Sequence, residues 1–281
     1  QTPAAPSKEI EKTSETKEVK ETNETCKILT KKIAYGSDER NIILFEMQKN
    51  HVDSRKAKIV IVVHGGGFVG GSIGGKSTKI LRNFFLNRGY SVISVEYRVC
   101  PNVKWPTPVV DVANGINKAL SELKKAGFVV EEVTCVGSSA GATALALILY
   151  SNKYPSISEA TRFIGFDGIY NPDSITSKAS TSISLCNSSP KYDLAFDGKL
   201  KVPALLIEGE SDCFDANPMT SKSHAEYLAG ILKSKSIYAE TCWMTKEDAG
   251  TACGHGCPVH LLESENKKLV DKIERFMQRV S

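Results

Sequence analysis

Apolar and polar positions follow two different periods along the chain, and the switches between them map its elements. Lys27–Ala34 and Ile42–Gln48 read as the strands of an opening hairpin, with Gly36-Ser37-Asp38 in the turn region. Lys58–Val63 is a short, nearly unbroken apolar run, the signature of a strand covered on both faces. Ser77–Asn87 has helical spacing with Ser77 as its expected cap, and Tyr90–Glu96 returns to strand. Pro108–Ala126 is an amphipathic helix closed by Gly127. Val133–Gly137 is a strand, and a helix follows it through Tyr150. Arg162–Ile169, Pro203–Gly209 and Ser236–Cys242 are further strands; Ser221–Lys233 and Val259–Val280 are expected helices. Strands alternating with helices predict an α/β class, with a mostly parallel central sheet and helices on both faces.

Two segments depart from this pattern. Residues 1–25 are Thr, Glu, Lys, Ser and Pro with almost no large apolar side chain, and six Glu against four Lys leave them at −2. Such a segment buries too little surface to offset its ordering entropy, so a disordered polar tail is expected, with the folded domain spanning 26–281. Asn171–Lys199 lacks periodicity and is rich in Ser, Asn, Asp and Pro, a small cap-like insertion over about 171–199. No internal repeat occurs.

Composition narrows the function. With 281 residues, 41% hydrophobic and 24% charged, the chain is ordinary for a globular domain, which excludes fibrous and wholly disordered classes. The net charge of +4 is small and no basic stripe is present, so nucleic acid is not an expected partner. The longest apolar stretches fall far short of the ~20 residues that a membrane helix needs. Eight cysteines permit a disulfide framework. The start at Gln1, the lack of an apolar leader and the sequons at Asn23 and Asn187 together favour a secreted or endomembrane-lumen protein over a cytoplasmic one.

Candidate chemistry lies where strands end. Gly137-Ser138-Ser139-Ala140-Gly141 fits G-x-S-x-G between a strand and a helix, the setting that exposes a nucleophilic serine on a sharp turn. Ser139 is the expected nucleophile. His64-Gly65-Gly66-Gly67-Phe68 follows the buried strand that ends at Val63. A glycine run there brings backbone N–H donors close to a developing oxyanion, and Gly66, Gly67 and Ala140 are the expected donors. Gly70 to Ser77 also fits G-x-x-x-x-G-K-[ST]. A phosphate loop joins its strand directly to its helix, whereas here the HGGG segment intervenes, so a nucleotide site is not expected.

A serine nucleophile needs a base, and the base needs an orienting carboxylate. Asp212, after the strand Pro203–Gly209, is the expected acid, with Asp215 and Glu210 in reserve. His255, between two glycines in a loop after the next strand, is the expected base. His64 reads as structural, and His224 and His260 read as surface residues of helices. Cys242, Cys253, Cys257, His255 and His260 cluster in sequence, but their spacing matches no zinc pattern, so neither metal nor cofactor is expected. A disulfide from Cys213 to Cys253 or Cys257, stapling the acid loop to the histidine loop, is expected instead.

Taken in order, these motifs resemble the hormone-sensitive-lipase-like, small-carboxylesterase branch of the α/β-hydrolases, over about Lys27 to Val280. Glu96-Tyr97-Arg98-Val99-Cys100-Pro101, Pro106 and Asp111 are similar to that family's Y-R-x-x-P…P…D stretch, and Ser189-Pro190 to its S-P pair. The resemblance implies an α/β-hydrolase fold and a serine hydrolase of short-chain carboxylic esters, with Arg98 and Asp111 structural. The large N-terminal helical cap of the family is not visible, and Cys213 follows the acid where Pro or Leu is common. Phe68, Trp105, Tyr170 and Trp243 are candidate pocket aromatics. An arylformamidase-like amidase and a non-catalytic ligand-binding member of the fold are the alternatives. The expected partner is a small-molecule ester; the oligomeric state is not encoded.

Overall fold

A computed structural model describes residues 27–176, 186, 194–220 and 222–279. The expected tail 1–25 with Asn23, and most of the 171–199 insertion with Asn187 and Ser189-Pro190, lie outside the described residues. The described elements, in chain order, are β1 (Ile28–Ala34), β2 (Ile42–Gln48), α1 (Lys49–Ser54), β3 (Lys56–Val63), α2 (Lys76–Leu86), β4 (Ser91–Val95), α3 (Thr107–Lys125), β5 (Val129–Ser138), α4 (Ala140–Tyr150), β6 (Arg162–Phe166), β7 (Ala204–Gly209), α5 (His224–Ser234), β8 (Ala239–Met244), α6 (Lys246–Ala249), α7 (Cys257–Leu261) and α8 (Lys267–Arg279).

The strands form one eight-stranded sheet in the order β1-β2-β4-β3-β5-β6-β7-β8. β1 and β2 pair antiparallel, as does β2 with β4, and every later pairing is parallel. Two apolar cores cover its faces. One contains Val109, Val112 and Ile116 of α3 and the whole of α4; the other contains Leu81, Phe84 and Phe85 of α2 with Ile273 and Phe276 of α8. α4 is buried at every position, as befits a helix between the sheet and its neighbours. Parallel pairing from β3 to β8 brings the carboxyl ends of β3, β5, β6, β7 and β8 to one edge, where α/β sheets carry their sites.

The expected helix over Val259–Val280 is instead two, α7 and α8. The Asn266 side chain accepts the N–H of Leu269 and starts α8 afresh. α5 begins at His224 rather than Ser221 because Ser223 supplies the cap, accepting the N–H of Glu226. α2 begins one residue earlier than expected, with Gly75 in place of Ser77 at its N-cap. Arg98 and Asp111 pair through two contacts of 2.8 Å and tie the loop after β4 to α3. Among the described residues no helix is long and apolar enough to cross a membrane.

The disulfides differ from expectation. Cys253 bonds to Cys257 and Cys100 to Cys186, while Cys213 belongs to neither bridge. The reason is alternation along the acid loop. Asp212 and Phe214 both face His255, so Cys213 between them turns outward and is exposed. The staple therefore closes the histidine loop on itself rather than onto the acid loop. Cys100–Cys186 joins the loop after β4 to the insertion.

Candidate active site

Ser139 sits where β5 turns into α4, and its flanking glycines explain the tightness of that turn. A Cβ on Gly137 would come within 2.5 Å of the Ala142 nitrogen, and one on Gly141 within 2.3 Å of the Val63 carbonyl oxygen. Glycine at both places lets α4 approach β5 and β3 this closely. The turn holds Ser139 at φ 53° and ψ −123°, a conformation that costs a non-glycine residue about 1–3 kcal/mol. The Ser139 N–H donates to Phe166 O at 2.7 Å and pins the turn to the end of β6.

His255 and Asp212 converge on this serine. Ser139 Oγ lies 2.9 Å from His255 Nε2, and His255 Nδ1 lies 3.0 and 2.9 Å from the two carboxylate oxygens of Asp212. A carboxylate can only accept, so the geometry assigns the ring proton to Nδ1 and leaves Nε2 to accept the serine O–H. Asp212 is buried, and its Oδ1 also accepts the Phe214 N–H at 2.8 Å. The Phe214 ring stands edge-on to the imidazole, with centroids 4.3 Å apart. The Ser211 N–H donates to Cys253 O at 3.0 Å, so the acid and histidine loops are also joined backbone to backbone. The reserve acids face elsewhere. Asp215 accepts the N–H of His224 and the hydroxyl of Ser174, and Glu210 accepts the N–H of Lys246.

The glycine loop after β3 completes the site. A Cβ on Gly65 would meet Ser138 O at 2.9 Å and Ser139 Cβ at 3.0 Å, so the loop passes directly against Ser139. Gly66 at φ 121° and Gly67 at φ 61° turn the chain back, and the N–H groups of Val69 and Gly70 close on Gly66 O. Among the described residues, no hydrogen-bond partner within the protein takes up the N–H of Gly66, Gly67 or Ala140. His64 anchors the loop from beneath. Its Nδ1 faces Gly65 O at 2.7 Å and its Nε2 faces Glu96 Oε1 at 2.8 Å, while its ring stacks on Tyr97 at 4.1 Å. Burial works to raise the Glu96 carboxyl, and the hydrogen bond from His64, with the Ile73 N–H and Arg40, outweighs it and leaves Glu96 below the usual carboxylate range.

Several residues of this region carry no motif. Asp167, directly after β6, has burial as the main cause of a carboxyl pushed up to about 7. Glu208 on β7 is likewise pushed up to about 10, by burial first and then by Asp215. The expected strand Arg162–Ile169 ends instead at Phe166, so Asp167, read from the sequence as a strand residue, stands at the strand's carboxyl end. His224 is not on the surface but buried at the start of α5. Its Nδ1 accepts the N–H groups of Tyr170 and Asn171, its Nε2 donates to Phe214 O, and burial lowers its proton affinity. His260 is exposed at the cavity rim, as expected of a helix surface.

A cavity of about 480 Å³ opens over Ser139 and His255, within the size range of small-molecule sites. Its lining includes the apolar Ile169, Ile175, Leu194 and Phe214 and the polar Ser72, Lys76, Ser77 and Thr78. Of the four candidate aromatics, Phe68 lines the cavity. Trp105 packs behind Phe68 with ring centroids 5.2 Å apart, and Tyr170 is buried.

Comparison with known proteins agrees with this architecture. Residues 45–174 match the family model BD-FAE. Esterase LipC of Mycobacterium tuberculosis (strain ATCC 25618 / H37Rv) is 28% identical over 111 residues, 40% of this chain and 27% of that protein. Esterase LipQ of the same strain is 28% identical over 131 residues, 46% of this chain and 30% of its own length. The chain thus spans less than a third of the curated relatives it matches. Esterase B of Lactobacillus rhamnosis superposes with a TM-score of 0.69 at 16% identity, over 90% of this chain and 86% of that one. Carboxyl esterase 2 of Tuber melanosporum gives 0.66 at 17% identity, over 91% and 86%. The fold is that of the α/β-hydrolases, and the resemblance to their esterases read from the motifs holds in these comparisons.

Proposed function

We propose that this α/β-hydrolase is a serine carboxylesterase acting on short-chain carboxylic esters of small molecules through an acyl-enzyme on Ser139. The carrying observation is the line of contacts from Ser139 Oγ through His255 to Asp212, on a serine held at φ 53°. Ser139 Oγ attacks the ester carbonyl while its proton passes to His255 Nε2. Asp212 keeps the imidazole in the right tautomer and stabilises the imidazolium that forms. The carbonyl oxygen, now an oxyanion, takes up the unpaired N–H groups of Gly66, Gly67 and Ala140. His255 returns the proton to the departing alcohol, and the acyl group stays on Ser139. Water then attacks the acyl carbonyl and gives its proton to His255, and His255 returns that proton to Ser139 Oγ as the acyl–Oγ bond breaks and the carboxylic acid leaves. The names of the esterase relatives and the apolar residues lining the cavity support an ester substrate, and its volume of about 480 Å³ suits a small one. A secreted setting accords with the two disulfides, and the residues at 171–199 are read as a small cap.

The test is covalent. A fluorophosphonate probe is expected to label Ser139, as mapped by mass spectrometry, and p-nitrophenyl acetate and butyrate to turn over. Ser139→Ala is expected to abolish labelling and lower kcat by about 10⁶-fold. Turnover that survives in Ser139→Ala overturns the reading. A parallel formanilide assay distinguishes amidase from esterase preference.

A further inference from the structure

We propose that Asp167 is a positioning residue of this site, one that locks the acid loop and the histidine loop to each other. The inference rests on the reading of Ser139, His255 and Asp212 as the reacting set, and it adds a residue which no motif marks.

Asp167 occupies the centre of the carboxyl edge of the sheet. It follows β6, between β5, which leads to Ser139, and β7, which leads to Asp212. The backbone here is tied on both sides: Phe166 O accepts the N–H of Ser139 at 2.7 Å, and the Asp167 N–H donates to Ile207 O at 2.8 Å. Asp167 itself is held at φ 48°, a positive angle that a side chain adopts when its surroundings over-determine it. Its carboxyl is 1% exposed and is divided between two loops. Oδ1 accepts the N–H of Gly209, at the end of the acid strand, at 3.0 Å. Oδ2 accepts the N–H of Gly256, the residue after His255, at 2.9 Å. One side chain thus spans the two segments that must stay in register for the Asp212–His255 contact to meet Ser139.

Among the described residues no ion pair joins Asp167 to a Lys or Arg. The titratable groups facing it are His255 on the histidine loop, Asp212 on the acid loop, Glu208 on β7 and Tyr170 on the loop after β6. Burial and Asp212 work to keep Asp167 protonated, whereas a positive His255 works to ionise it. The proton that His255 gains from Ser139 is therefore felt by two carboxylates, and an ionised Asp167 stabilises the imidazolium alongside Asp212.

The experiment compares wild type, Asp167→Asn and Ser139→Ala. Asparagine keeps the size of the side chain but can accept through only one atom, and it carries no charge. In Asp167→Asn, kcat on p-nitrophenyl acetate is expected to fall roughly 10–100-fold with KM changed less than about two-fold. The acid limb of the pH profile is expected to move to lower pH, because a carboxyl that can ionise as His255 gains its proton is lost. The Gly256 amide is expected to lose protection from hydrogen exchange. An unmoved acid limb and unchanged Gly256 protection overturn the proposal, even if kcat falls. If Asp167→Asn does not fold, the wild-type protein decides. The amide shifts of Gly209 and Gly256 are expected to titrate together with one carboxyl carbon; independent behaviour of the two overturns the tether. Absence of a Ser139 adduct in the wild type overturns the triad reading instead, and the joint titration still decides the role of Asp167.

Discussion

The two sides of the site are held by opposite electrostatic strategies. On the side of the glycine loop, one buried carboxylate, Glu96, meets His64, Arg40 and the Ile73 N–H, so charge is matched locally. On the side of the acid and histidine loops, Asp167, Glu208, Asp212 and Asp215 are all buried, and no Lys or Arg pairs with them among the described residues. Their partners are backbone N–H groups, of Gly209, Gly256, Ala225, Phe214, Asn217 and His224, the hydroxyl of Ser174 and the imidazole of His255. The matched side has nothing to exchange and serves as a fixed frame for N–H donors. The unmatched side holds Asp167, whose carboxyl burial pushes up to about 7, beside the histidine that carries the proton in the proposed acyl transfer.

The comparison breaks most visibly at Asp212. Replacing it with Asn keeps the shape but removes the charge and puts an NH2 donor in place of one of the two oxygens that assign the Nδ1 proton. The expected loss in kcat is about 10⁴-fold, with little change in the melting temperature. Stopped assays on p-nitrophenyl butyrate and a thermal melt of the same sample test this. A loss of less than ten-fold would mean that another carboxylate orients His255.

Glu96→Gln probes the matched side, and a different observable should move. The amide loses the charge that serves His64 and Arg40 while it stays buried, which costs about 2 kcal/mol of stability. The sign with pH follows from a carboxyl held below its usual range. Its contribution is fully present above the unfolded carboxyl value of about 4.3, and it is lost as pH falls through the folded value. Urea titrations are expected to separate the two proteins at pH 7 and bring them together near pH 3. The acid limb of the pH profile is expected to stay where it is; a shift there would remove the distinction between the two sides.

How legible each side was in the sequence follows from the kind of constraint it carries. The serine turn and the glycine loop were readable because steric demands fix residue types at short spacing. A Cβ on Gly137 or Gly66 would strike backbone a few residues further along the same turn, and one on Gly141 would strike the backbone of Val63 and His64. Asp212 and His255 were readable because each follows a strand in the expected order. Asp167 and Phe214 were not, since a single side chain after a strand has no period and its partners come from loops far away in sequence. His224 was misread because helical spacing does not reveal that the start of α5 lies beneath the acid loop. The disulfide was misread for a related reason: closeness of two loops does not say which way Cys213 points.

The smallest expected effect lies under the unmatched side, at Tyr170. Its ring is 1% exposed, and its hydroxyl finds no hydrogen-bond partner, as is also true of Glu208 Oε1. Burial and the nearby Glu208 push its ionisation far above the ordinary range, so the hydroxyl stays neutral and simply loses its hydration on folding. Tyr170→Phe removes that cost while keeping the ring, and it is expected to raise stability by about 1 kcal/mol. Activity at pH 7 should be unchanged, because no contact joins the hydroxyl to Ser139, His255 or Asp212. Chemical denaturation alongside steady-state kinetics checks both halves. A destabilised Tyr170→Phe would mean that the hydroxyl has a partner, with Glu208 as the nearest candidate through a buried water. The excess of acid on this side would then be solvated from within rather than carried unpaired.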